Sequence, residues 1–339
     1  MNTNFKQVCE PAITARIRTH AADFIVDEIP VVTPEGEGEH LWLLIRKTGA
    51  NTDWVAGQLA RWFGVKRHDV GFAGLKDRHA ITTQWFSVYA PGQKFGDVTQ
   101  QIPESLADSI EILEQTQHLK KLRRGALKGN RFTLILRECE GDYVQLEANL
   151  QFIKEQGIPN YFGEQRFGRD FGNIKAAKDW FNGEFKPRKR QLKSLYLSAA
   201  RSWVFNKILS ERVAIGAWNR ALSGDVFMLE GSHSWFVDDQ DATLPQRVID
   251  KEIHPTGALW GKGELDTITD AAALEDEVAA EQAILVNGLI KEGLRQDRRS
   301  LRALVKALSH QWLDEQTLEL SFSLPAGSYA TVVLAQLVK

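Results

Sequence analysis

The apolar rhythm of this chain changes twice, and that limits what it can fold into. Period-two alternation dominates roughly the first 150 residues, yields to helical spacing and Gly/aromatic turns, and returns near the end. Asp23 to Pro30 reads as a short strand with Phe24, Val26 and Glu28 on one face, because successive strand side chains point to opposite sides. His40 to Lys47 sets Leu41, Leu43 and Ile45 against Trp42, Leu44 and Arg46, the pattern of a strand covered on both faces. Phe132 to Leu136 alternates in the same way. From Thr317, the residues Leu318, Leu320, Phe322 and Leu324 resume the pattern; the turn Pro325-Ala326-Gly327 follows, then a helical rhythm from Ser328 to Leu337. The two ends resemble each other more than either resembles the middle. The expectation is a mixed α+β outer domain with a second domain inserted.

Between the first strands, Asn51 or Thr52 can cap a helix carrying Val55, Leu59, Trp62 and Phe63 on one side, with Gly64 ending it. In the middle, helices are expected from about Tyr196 to Val213 and from Glu275 to Lys291. A chain of 339 residues suits one large or two medium domains.

Several classes drop out. Cys9 and Cys139 lie far apart and outside any metal-ligand spacing, which fits a reduced, cytoplasmic protein. There is no apolar signal region and no apolar run of membrane-spanning length. Asp170-Phe171-Gly172 lacks every other kinase motif, and Gly36-x-Gly38 and Gly261-x-Gly263 lack the setting of a dinucleotide fingerprint. No His-Glu-x-x-His or paired Cys-x-x-Cys is present, so no metal is expected.

The net charge is only −2, yet cations gather in three places. Lys120, Lys121, Arg123, Arg124, Lys128 and Arg131 form the first group; Lys186, Arg188, Lys189, Arg190 and Lys193 form the second. Arg295, Arg298, Arg299 and Arg302 form the third, at the spacing of one helical stripe. Segregated positive charge in a net-acidic chain points to a polyphosphate backbone, hence to nucleic acid.

One carboxylate is placed unusually. In Val70 to Trp85 an apolar run breaks at Gly74 into a charged turn, and Asp77 stands between Lys76 and Arg78 with His79 next. Two adjacent cations and turn amides would keep Asp77 ionised while it faces a cleft. By spacing alone it is either a turn aspartate or a catalytic one. No second carboxylate lies near in sequence, so a paired acid/base glycosidase is not legible, although a distant partner would serve.

Gly74-Leu75-Lys76-Asp77-Arg78-His79-Ala80-Ile81-Thr82-Thr83-Gln84 resembles the signature of the TruD family of tRNA pseudouridine synthases. Four further motifs follow that family's order: Asp23-Phe24-x-Val26-x-Glu28, Gly129-Asn130-x-Phe132-x-Leu134, Pro159-Asn160-Tyr161-Phe162-Gly163-x-Gln165-Arg166-Phe167-Gly168, and Leu324-Pro325-Ala326-Gly327-Ser328-Tyr329-Ala330-Thr331. Together they span roughly residues 15 to 337.

The resemblance implies a mixed-sheet pseudouridine synthase core over 1–156 and 304–339, with the family's second α+β domain inserted over 157–303. It implies that Asp77 is catalytic and that Phe24, Asn130 and Tyr329 line a uridine pocket. Tyr329 departs from the Phe usual there; it keeps the stacking face and adds a hydroxyl. Arg18, six residues before Phe24, resembles a basic position near that site. The implied reaction isomerises a uridine of tRNA, expected at position 13 in the D arm, after base flipping. It requires no cofactor and no metal, and the expected protein is a cytoplasmic monomer whose partner is tRNA. Asp77 would act at the sugar as nucleophile on C1′ or base at C2′. Two rivals use the same residues, an RNA-binding protein without chemistry and a nucleoside hydrolase built on Asp77.

Overall fold

The computed structural model describes residues 5–92, 95–238 and 241–339. The chain forms two compact units, one of Thr14–Gly141 and Val305–Gly327, the other of Met1–Ile13, Asp142–Leu304 and Ser328–Lys339. These limits differ from 1–156, 304–339 and 157–303, since both chain ends and residues 142–156 join the middle segment. Two buried amides account for the joining. Asn149 Nδ2 donates to the Glu10 and Gln336 carbonyls (2.8 and 3.1 Å), and Gln336 Oε1 accepts from the backbone amides of Val8 and Cys9.

In chain order the first elements are β1 (Ile13–Ile17), β2 (Phe24–Pro30), β3 (His40–Thr48), α1 (Thr52–Trp62), β4 (Val70–Phe72), β5 (Ile81–Tyr89), α2 (Glu104–Ala107), β6 (Ile110–His118) and β7 (Leu127–Gly141). The middle segment adds α3 (Tyr143–Gln156), β8 (Ile158–Pro159), α4 (Gly172–Phe181), α5 (Arg190–Ala214), β9 (Val226–Leu229), β10 (Trp235–Val237), α6 (Leu244–Ile249), β11 (Ile253–Leu259), α7 (Thr269–Glu281), α8 (Ala283–Lys291), β12 (Asp297–Ser300) and β13 (Arg302–Ala303). The chain then closes with β14 (Lys306–Trp312), β15 (Leu318–Pro325) and α9 (Ala330–Leu334).

The strand-rich unit is one mixed sheet in the order β14-β15-β7-β2-β5-β3-β6, with β1 also paired to β7 and β4 to β5. Along this path only β2 and β5 run parallel. The Asn51 side chain caps α1 by accepting from the Trp54 amide at 2.8 Å, and Gly64 leaves it with a φ of 65°. Helix α1 buries Val55 and Leu59 against Leu43, Ile45 and Phe86 of the sheet. Burying an aliphatic side chain of this kind contributes about 1.5–3 kcal/mol.

In the other unit the 25-residue α5 packs against α4, α7, α8 and β11, with Val204, Phe205 and Leu209 fully buried. The helix expected over Glu275–Lys291 is two, α7 and α8, parted at Gln282, whose Oε1 accepts from Trp203 Nε1 (3.1 Å). Among the described residues no helix is long and apolar enough to cross a membrane.

The third basic cluster is corrected by this fold: residues 297–300 and 302–303 are strands, not a helical stripe. Arg298 stands on β12 and Arg302 on β13, two separate short strands, and both side chains are inward. Arg298 is 3% exposed and held by Glu275 at 2.6 Å; Arg302 is 2% exposed and donates to His254 Nδ1 at 2.9 Å. Both arginines serve this unit's interior rather than a solvent-facing surface.

Candidate active site

Register across the large sheet explains which side chains share a face. Lys47 of β3 stands opposite Thr82 of β5, Thr82 beside Val26 of β2, Val26 opposite Phe132 of β7, and Phe132 opposite Phe322 of β15. One step along, Glu28 faces Asn130 and Asn130 faces Leu324. Directly opposed strand residues point the same way, so Phe24, Glu28, Lys47, Thr82 and Asn130 rise from one face.

The loop from Gly74 to Ala80 is strung over that face by side chains from beneath. Gln84 Nε2 donates to the Gly74 carbonyl (3.0 Å), and the Lys76 amide donates to Thr52 Oγ1 (2.8 Å), which itself donates to Gln84 Oε1 (2.8 Å). Lys76 Nζ reaches Glu28 Oε2 at 2.8 Å, with the two side chains only 5% and 1% exposed. Gly74 is small for a reason: a Cβ there would approach Lys76 Nζ to 3.0 Å. Lys47 Nζ donates to the Asp77 carbonyl (3.0 Å) and the Ala50 carbonyl (2.6 Å), and Arg78 Nε donates to the Gly49 carbonyl (3.0 Å). Burial, reinforced by Lys76, pushes the Lys47 ammonium down to about 8, while the charge of Asp77 acts the other way. Burial likewise pushes the Glu28 carboxyl up, and Lys76 offsets part of that.

The expectation that Lys76 and Arg78 guard the charge of Asp77 is therefore overturned. Both are committed elsewhere by hydrogen bonds. The cation on Asp77 is Arg18, whose Nη2 lies 3.2 Å from Asp77 Oδ2. The Asp77 side chain remains 51% exposed, the only part of its residue that the anchors leave free to act. The Arg18 guanidinium carbon also lies over the Phe24 ring, 3.9 Å from its centroid, and Phe24 is buried beneath it. Arg18 has a left-handed backbone, φ 58°, an outlier for so long a side chain and a strain of about 1–3 kcal/mol. Three buried polar atoms belong to this region's residues and lack partners: Arg18 Nε, Thr82 Oγ1 and Asn130 Oδ1. Such atoms are costly unless something polar arrives to meet them.

Asp77, Arg18, Phe24 and Asn130 thus belong to the strand-rich unit, whereas Tyr329 belongs to the other. There it meets the middle motif. Arg166 donates to the Tyr329 hydroxyl through Nη2 and Nε (2.7 and 3.3 Å) and to Ser198 Oγ through Nη1 (2.9 Å). Asn160 Oδ1 accepts from Ser328 Oγ (3.0 Å) and from Arg299 Nη2 (2.6 Å). The added hydroxyl of Tyr329 is fully employed, and the ring packs edge-on to Phe162 at 6.2 Å.

Sequence reasoning missed Lys47, Thr52, Gln84 and Arg166. A signal existed for Lys47, since it continues the period-two face of Leu41, Leu43 and Ile45 with a cation. Thr52 was visible only as a possible helix cap and Gln84 only as the last residue of the Gly74–Gln84 motif; nothing local marked either as a support for the loop.

Known proteins align with this geometry. A solved structure described as a putative tRNA pseudouridine synthase D from Methanosarcina mazei superposes with a TM-score of 0.72 over 98% of this chain and 94% of that one, at 21% identity. The architecture is a pseudouridine synthase fold. The family model for tRNA pseudouridine synthase D (TruD) matches residues 2–185 and 173–337. A tRNA pseudouridine synthase D from Hydrogenovibrio crunogenus is 51% identical over 96% of this chain and 93% of its own, and one from Xanthomonas campestris is 48% identical over 96% and 91%. The chain belongs to the tRNA pseudouridine synthase D family.

Proposed function

We propose that this chain isomerises a uridine of tRNA to pseudouridine, at position 13 in the D arm, with Asp77 as the catalytic carboxylate. The observation that carries the reading is the division of labour at Asp77: six side chains (Glu28, Lys47, Thr52, Gln84 and the loop's own Lys76 and Arg78) fix its loop, and Arg18 faces its half-exposed carboxylate.

The reaction breaks N1–C1′, turns the uracil, forms C5–C1′ and releases the C5 proton. Asp77 meets the sugar either as nucleophile at C1′ or as base at C2′, with the Arg18 guanidinium 3.2 Å from its Oδ2. That guanidinium is planar and sits over Phe24 at stacking distance, so it holds the place of a base. Entry of uracil displaces it from the ring and leaves it beside the carboxylate. Each base–aromatic contact with Phe24 or Tyr329 is worth about 1–3 kcal/mol. The unpartnered Asn130 Oδ1 is an acceptor suited to uracil N3–H. Extruding the uridine costs a few kcal/mol, offset by phosphate contacts from the exposed Lys120, Lys121, Arg123 and Arg124 and from Lys186, Arg188, Lys189 and Arg190. A tRNA-modifying enzyme of this kind works in the cytoplasm.

Release of tritium from C5-labelled uridine in tRNA measures the reaction directly. Asp77→Asn should lower it by about 10³-fold or more while tRNA affinity stays within a few-fold. Retained turnover would sink the assignment, and free uracil as product would make the chain a hydrolase. With deuterium at C2′, a primary isotope effect selects the base mechanism and its absence the nucleophilic one.

A further inference from the structure

Beside Tyr329, within the same unit, lies a cavity of about 210 Å³ that the chemistry above does not use. Three aromatic side chains wall it: Phe5, Tyr161 and Phe162. Phe5 and Tyr161 stack at 5.5 Å, and the Tyr161 hydroxyl is tied to the Lys6 carbonyl at 2.8 Å, so this wall is rigid. Opposite stand Thr331 and Ala335 at α9, and the exposed Glu164 marks the mouth. Thr331 Oγ1 is buried and has no partner. Gly163 separates the cavity from the Tyr329 ring; a Cβ there would lie 2.9 Å from Tyr329 Cδ1 and 3.0 Å from Thr331 Oγ1. The absence of a side chain at 163 is what lets the cavity and that ring share a wall.

An engineered cavity of about 150 Å³ with apolar walls holds one benzene, so this one has room for a ring with polar substituents. Its walls suit a planar aromatic group, and the unpartnered Thr331 hydroxyl and the Glu164 carboxylate suit a group with hydrogen-bonding edges. The Arg166 and Arg299 guanidiniums lie 5.6 and 4.2 Å from the Phe162 centroid, so positive charge flanks the aromatic wall. Aromatic platform plus guanidinium is the combination that binds single-stranded nucleic acid.

We infer that this cavity is a second base subsite, which receives an unpaired nucleobase of the RNA substrate, with its phosphate toward Arg166 and Arg299. The inference rests on the proposed function, because it takes RNA as the substrate. The Thr331 hydroxyl meets the base edge, and α9 supplies the floor.

The test measures affinity, independently of turnover. Full-length tRNA is assembled with one abasic ribose at each unpaired loop position in turn, and Kd is read by fluorescence anisotropy. The wild-type protein should lose about tenfold at one position, a change of about 1.4 kcal/mol, and little at the others. Ala335→Leu, which fills the cavity, should weaken intact tRNA by the same factor and lose no more on the abasic one. Thr331→Val, which keeps the shape and removes only the hydroxyl, should give a smaller loss confined to that position; it serves if Ala335→Leu does not fold. Equal affinity for all abasic tRNAs, or unaltered binding by a folded Ala335→Leu protein, would overturn the subsite. Abasic discrimination without pseudouridine would leave the subsite standing and remove the proposed chemistry instead.

Discussion

Two loops carry the side chains proposed to act on the substrate, and they are held in opposite ways. In the strand-rich unit, Gly74–Ala80 is fixed through its backbone, and the Asp77 side chain is left half exposed beside Arg18. In the other unit, Tyr329 is fixed through its own side chain, whose hydroxyl takes two bonds from Arg166. The difference follows from the work proposed for each. A carboxylate that attacks or deprotonates must be correctly placed yet unencumbered, so the scaffold grips its neighbours. An aromatic face needs only orientation, and a bond at its far tip provides that without covering the ring. The anchors also differ in kind, with buried charges in the first unit and a half-buried phenol in the second.

The largest effect is expected where the first loop's charged anchor is cut. Glu28→Gln leaves the Lys76 ammonium buried without its counter-ion, which costs about 3–5 kcal/mol by analogy with other broken buried pairs. Urea denaturation should show that loss, and turnover should fall with it because Asp77 adjoins Lys76. Replacing both partners, as Glu28→Leu with Lys76→Met, should recover most of the stability. A single variant as stable as the wild type would mean that the loop does not depend on charge from beneath, and the contrast would fail.

Lys47→Met comes next, since it removes the donor to the Ala50 and Asp77 carbonyls at a cost of about 1–3 kcal/mol. This anchor also has a pH signature. Its folded value is about 8 against an ordinary 10.5, so between those limits the unfolded chain binds more protons. Stability from this group therefore rises with pH across that window, and below it both states are protonated and the slope vanishes. The wild-type advantage over Lys47→Met, measured by denaturation, should widen from pH 7.5 toward pH 10.5. A constant difference would show that the burial of Lys47 is not felt.

These anchors show what a sequence exposes and what it hides. Alternation and capping located β2, β3, β7, β15 and α1, because each depends on residues adjacent in the chain. The motifs located Asp77, but not that Lys76 and Arg78 turn away from it; that depends on Glu28 and Gly49, brought near by sheet register. Spacing also suggested a helical arginine stripe at 295–302, where the chain instead runs as strands with Arg298 and Arg302 inward. Three- and four-residue intervals suit a helix, yet 298 and 302 fall on two short strands, and only the pairing with β11 and β8 decides that. The ends of the chain read as part of the outer sheet because nothing local marks Asn149 and Gln336 as the residues that fasten them to α3.

The smallest effect is expected at the second loop. Tyr329→Phe keeps the ring and removes the acceptor of Arg166, which still has Ser198 Oγ at 2.9 Å. At a half-buried site the lost bond is worth about 1 kcal/mol, so turnover should fall about five-fold with tRNA affinity unchanged. Arg166→Met should cost a similar factor, and the double variant little more than either, because both act on one ring orientation. Tyr329→Ala should lose considerably more, since it removes the stacking face itself. If Phe and Ala at 329 were equally harmful, the hydroxyl would be the working group. Tyr329 would then resemble Asp77, a reacting side chain held through its surroundings, and the two loops would obey one rule instead of two.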